Sequence, residues 1–213
     1  MIRTTIKELK VHAPFTFMGA FVGVLIALIF HYANINHEVA ENLFEVFHPA
    51  HVFFSAIVTA AVFRLHSGRG VFICLCVAYV GAIAIGTLSD CLIPFFSELF
   101  VGKYLAHGSI HPEVHIGFID MWWLINPLAI AGGFVGVYMT RTKFPHLMHV
   151  FLSTAASLFH ILGSIVGDIS FVAYALLGVF LFIAVWLPCC TSDIVFPLLF
   201  CPEKRKHKCC SHH

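Results

Sequence analysis

The sequence predicts an all-α polytopic membrane protein, with six transmembrane helices in a 3+3 inverted repeat and both termini cytoplasmic. Three observations lead there. Of 213 residues, 60% are hydrophobic and only 11% charged, with a mean hydropathy of +0.92, whereas a soluble domain carries about 25% charge. Apolar runs recur at close to the length that crosses a hydrocarbon core of ~30 Å. Three sequence blocks also occur twice in the same order. The composition excludes a soluble globular domain and a disordered chain. Lys+Arg 12 against Asp+Glu 11 leaves no basic surplus for nucleic acid.

The apolar runs fall at Pro14–Tyr32, His48–Phe63, Val71–Leu88, Ile119–Met139, His146–Ile165 and Phe171–Leu187. The first follows Met1–Lys10, is nearly of span length and lacks a small-residue cleavage site, so it reads as a helix and not a cleaved signal. Arg3, Lys7, Lys10, Arg64, Arg69, Arg141, Lys143, Lys204, Arg205, Lys206 and Lys208 share one side of this arrangement, and Lys103 lies on the other. The positive-inside rule makes the crowded side cytoplasmic, in a plasma or inner membrane. The opposite side then receives Glu38, Glu41, Glu45, Glu98, Glu113 and Asp168, with His31, His37, His107, His111 and His115. Trp122 and Trp123 belong at that outer interface.

The repeat organises the chain. Pro14 and Gly19–Val24 recur as Pro127 and Gly132–Val137, His48–Ser55 recurs as His146–Ser153, and Ser89–Pro94 recurs as Ser192–Pro197. Their offsets are 113, 98 and 103 residues, so only the connecting lengths differ. The expected organisation is a first three-helix repeat over 1–102 with an outer acidic and His-bearing loop, a second inverted repeat over 103–200, and a cytosolic Cys/His/Lys-rich tail over 201–213. The extra 15 residues of the first copy are assigned to the acidic stretch Glu38–Glu45. Three helices per copy is an odd number, so the second copy enters from the opposite face, as in many secondary transporters.

The chemistry-bearing residues follow the repeat. On a helix, His48, His51, Ser55 and Thr59 share one face, and His146, His149, Ser153 and Ser157 repeat it, with His160 added. Neutral imidazole is the commonest metal ligand, and a His-x-x-His pair supplies half of a tetrahedral shell. Asp90 and Asp193 end the third helix of each copy, on the face where the second begins, so each is expected beside its own pair. The candidate metal ligands are therefore His48, His51, Asp90, His146, His149 and Asp193. Ser55, Thr59, Ser153, Ser157 and His160 are expected along a pathway between them. Cys91, Cys189 and Cys190 are further candidate ligands. A blander reading takes the imidazoles as backbone-bonded core residues and the Ser/Thr stripe as a small-residue packing seam. Recurrence of ionisable groups in both copies, where burial in a membrane is costly, favours function.

Pro94 and Pro197 are expected to break or kink their long apolar helices just after the Asp. In the tail, Cys201, His207, Cys209, Cys210, His212 and His213 form a secondary metal-binding candidate, with a disordered or palmitoylated tail as its alternative. The function expected from these features is transport of a divalent or soft transition-metal cation, Zn2+ favoured. The partners are the cation and the lipid bilayer, with no nucleic acid and with a homo-oligomer left open. The rival readings are a membrane-embedded Zn-dependent hydrolase, a haem- or quinone-linked electron carrier, and a lipid-interacting scaffold.

Overall fold

A computed structural model describes residues 2–33, 36–105, 109–112, 116–140, 143–165, 167 and 169–200. These residues form helices and, apart from one isolated antiparallel bridge between Ile110 and Ile165, no β pairing. The helices are α1 (Ile2–Tyr32), α2 (His37–Ser67), α3 (Val71–Thr87), α4 (Ile93–Tyr104), α5 (Gly117–Asp120), α6 (Trp122–Val137), α7 (Lys143–Ser164) and α8 (Phe171–Leu199). A single π-turn, Leu88–Leu92, fuses α3 to α4. Four described stretches are long and apolar enough to cross a membrane: His37–Ser67, Val71–Tyr104, Phe144–Ser164 and Phe171–Cys189. Thr16–Phe30 and Trp122–Val137 are shorter apolar helices. Length and composition thus point to a membrane protein, and large apolar side chains such as Phe21, Phe72, Phe134 and Val172 face outward from the bundle.

The acidic stretch Glu38–Glu45, expected in an outer loop, lies on helix α2. Asn36 caps α2 by accepting the Glu38 backbone N–H, at 3.3 Å. Glu38 sits in the first turn, where the helix dipole favours negative charge. The inserted residues therefore lengthen α2 by about three turns before the His motif begins. At the other end Gly68 adopts φ 62°, its N–H closing on the Arg64 carbonyl, with Arg64 and His66 in the last turn.

Pro94 explains the π-turn. In a regular helix its ring would press on the carbonyl of Asp90 and leave that carbonyl without a donor. The backbone instead widens by one residue, and the Ile93 N–H reaches back five positions to Leu88. The expected kink is thus an expanded turn that ends at the proline. All three of Ser89, Asp90 and Cys91 are buried on it.

The central pair is α2 against α7, the most extensively packed helices of the bundle. Helix α6 lies on α2 and α3, and α1 lies on α7 and α8. Gly132 and Gly136 make the α2–α6 approach possible, because a Cβ at either would collide with the carbonyl oxygens of Phe53 and Ile57. This is the small-residue route by which membrane helices pack closely. Gly23 lies in the same way under Leu181 of α8.

Candidate metal centre

Five elements converge on one buried polar centre. From α2 come His48, His51, Ser55 and Thr59, and from α7 come His149, Ser153, Ser157 and His160, all buried. Each set keeps to one helix face because its members are spaced three or four residues apart. The π-turn supplies Ser89 and Asp90, α4 supplies Glu98, and α8 supplies Cys189, again buried.

Asp90 is the hub. Its Oδ2 accepts from His48 Nδ1 at 2.9 Å and from His51 Nδ1 at 2.5 Å. Its Oδ1 accepts from Ser89 Oγ at 2.6 Å and Ser153 Oγ at 3.0 Å, with Ser157 Oγ at 3.5 Å. The one O–H of Ser157 also has the carbonyls of Ser89 and Ser153 within reach, at 3.0 and 2.8 Å. Removing a carboxylate from water is expensive unless its lone pairs are filled, and here two imidazoles and two hydroxyls fill them.

Beyond His51 lie His149, with ring centroids 4.6 Å apart, and Cys189, whose Sγ donates to Ser153 Oγ at 3.2 Å. Two sets of three donors result, His48/His51/Asp90 and His51/His149/Cys189. Within each set the ligand atoms lie within 4.8 Å of one another. A tetrahedral Zn2+ shell with bonds of about 2.0–2.3 Å separates its ligands by about 3.3–3.8 Å. Either set would have to draw its donors to that spacing to hold an ion.

His146 stacks on His149 at 6.4 Å and lies outside both sets. Each repeat's Asp was expected beside that repeat's own His pair. Instead His149 and Ser153 of the second repeat meet His51 and Asp90 of the first. Asp193 lies on α8, but its side chain is outside the described residues, as are all of 201–213, His107 and His115. Cys91 is buried on the π-turn and belongs to neither set. Ser55 Oγ and Thr59 Oγ1 have no hydrogen-bond partner among the described residues.

One residue of the site escaped the sequence reading. Glu98, expected on an outer surface, is fully buried and accepts from His160 Nδ1 at 2.8 Å. Its signal was present, since it is the lone charge inside the apolar run Phe95–Val101. Glu98 and His160 line a cavity of about 450 Å³ at the end of the bundle where α2 begins and α7 ends. His37, Glu41, Glu45, His111 and Asp120 also line it, and Gly117 separates it from His48. Phe44 joins the cavity to the hub, stacking on His48 and meeting His160 edge-on, each at 5.2 Å.

No protein-family model, curated protein or solved structure matches this chain.

Proposed function

We propose that the chain is an integral membrane transporter of a divalent or soft transition-metal cation, with Zn2+ the favoured substrate. The observation that carries this reading is a buried His/Asp/Cys donor cluster, built from both sequence repeats, next to a cavity lined by carboxylates and imidazoles. Such a cavity concentrates cations, while nitrogen and sulfur donors beyond it select transition metals over Mg2+ and Ca2+. Substrate sites at the interface of two repeats are the rule in inverted-repeat transporters.

The packing supports the 3+3 arrangement. If α1 corresponds to α6, α2 to α7 and α3–α4 to α8, then α6 on α2 and α3 is the counterpart of α1 on α7 and α8. In that six-span arrangement, with both termini cytoplasmic, the acidic cavity faces outward. Cations enter by the cavity, pass His160 and His48, and reach His51 and His149. Zn2+ uptake into proteoliposomes tests the proposal. Uptake falls at least about tenfold in His51→Ala and in His149→Ala, the scale expected when a metal ligand or its support is lost. Equal flux in wild type and both variants would refute it.

A membrane-embedded zinc hydrolase is the second reading, favoured by the three-ligand sets, since catalytic zinc keeps three protein ligands and one open position. Release of product from ester or amide lipids by the same proteoliposomes, without Zn2+ accumulation inside them, would select it.

A further inference from the structure

The two donor sets share His51, and they are not chemically equivalent. An ionised carboxylate offers about four lone-pair positions. Those of Asp90 are taken by His48, His51, Ser89 and Ser153. Because the carboxylate only accepts, Nδ1 of His51 carries the hydrogen, which leaves the lone pair on Nε2. That nitrogen is buried and has no hydrogen-bond partner among the described residues. A carboxylate behind one imidazole nitrogen, fixing the tautomer so that the other nitrogen binds metal, is the usual outer shell of a zinc ligand. Asp90 therefore has the geometry of a positioning residue.

We propose that the metal is held by His51 Nε2, a ring nitrogen of His149 and Cys189 Sγ, with Asp90 orienting His51 and with His48 outside the coordination shell. The proposal deepens the transport reading and rests on it only for the identity of the metal as cargo. When the cation binds, the S–H bond of Cys189 breaks, the proton leaves to water, and a sulfur–metal bond forms with no change of oxidation state. The thiolate and the Asp90 carboxylate together carry two negative charges. A divalent cation balances these two charges, whereas Cu+ leaves one of them unbalanced. In a low-dielectric interior that difference favours Zn2+ and chemically similar divalent ions. Three protein ligands leave a fourth position open for an entering or departing group.

Cobalt(II) is the probe, because a thiolate ligand gives it a near-ultraviolet charge-transfer band and tetrahedral geometry intensifies its visible bands. The titration uses the full chain in detergent with Cys190, Cys201, Cys209 and Cys210 replaced by Ser, which removes competing thiolates near the α8 end and in the tail. One equivalent of Co2+ is expected to saturate the charge-transfer band, and Zn2+ to bleach it. Cys189→Ser and Cys189→Ala abolish the band. His149→Ala and His149→Gln weaken binding at least about tenfold, and Asp90→Asn by about 10–100-fold with the band retained. His48→Ala keeps the band, with affinity within about threefold of the parent.

Persistence of the band without Cys189, an equal loss in His48→Ala and His149→Ala, or no saturable Co2+ binding by monodisperse parent protein would each overturn the assignment. A band without Zn2+ flux refutes transport and leaves the site standing. Flux without a band refutes the site and leaves transport standing.

Discussion

Replacing Asp90 by Ala removes the acceptor on which α2, α7 and the π-turn converge. Four donors reach its oxygens within 3.0 Å. Two of them are serine hydroxyls that can rotate to backbone carbonyls, as Ser157 already does toward Ser89 and Ser153. The two imidazole N–H groups are held in rigid rings at buried positions, so they keep their penalty. At about 1–3 kcal/mol for each stranded donor, Asp90→Ala should destabilise the fold by about 2–6 kcal/mol. The gain from no longer burying a charge is already realised by Asp90→Asn, in which the serines keep an oxygen and the imidazoles can shift their hydrogens to Nε2. Asn should therefore cost less than about 2 kcal/mol while placing a hydrogen on His51 Nε2, the nitrogen proposed to bind metal. Unfolding in mixed micelles, followed by tryptophan fluorescence, measures both variants. The hub argument fails if Asp90→Ala is as stable as wild type, or if Asn is the more damaging replacement.

Gly132→Ala should cost about 1–3 kcal/mol, since its Cβ meets a backbone carbonyl that cannot move aside. Gly70→Ala, with nothing within 4 Å of the new Cβ, should stay within about 0.5 kcal/mol in the same melts. Thr59→Val removes a buried hydroxyl that has no partner among the described residues. It should leave stability unchanged or raise it by about 1 kcal/mol, and a loss of Zn2+ uptake in that stable variant would assign Thr59 to the transport route. Glu98→Gln keeps the cavity's shape and removes one carboxylate, so stopped-flow Co2+ loading should slow while the bound equivalents at saturation stay the same.

Much of the centre was legible in the sequence because it lies on regular helices. Spacings of three and four residues put His48, His51, Ser55 and Thr59 on one face, and the return of the third helix to the start of the second brought Asp90 to them. The start of α2 was not legible. Glu38, Glu41 and Glu45 read as solvated loop to a hydropathy argument, yet Asn36 supplies a helix cap that depends on local hydrogen bonding and not on apolarity. The mixing of the two repeats was hidden for a different reason. Each half was assigned its own carboxylate, but which helix faces meet is set by packing, here by α2 lying along α7. That packing brings Ser153 to Asp90 and His149 to His51, and the spacing within either repeat carries no trace of it. For Glu98 a lone charge in an apolar run did mark burial, but its pairing with His160 depends on helix α4 carrying it back into the bundle.

The carboxylate tied at once to α2 and to α7 also acts as a clasp. If the proposed transporter rocks one half against the other, the motion must pull Ser153 from Asp90, both fully buried. A cation that draws Cys189 away from Ser153 would loosen that fastening from one side, so occupancy and opening would be mechanically joined at a single serine.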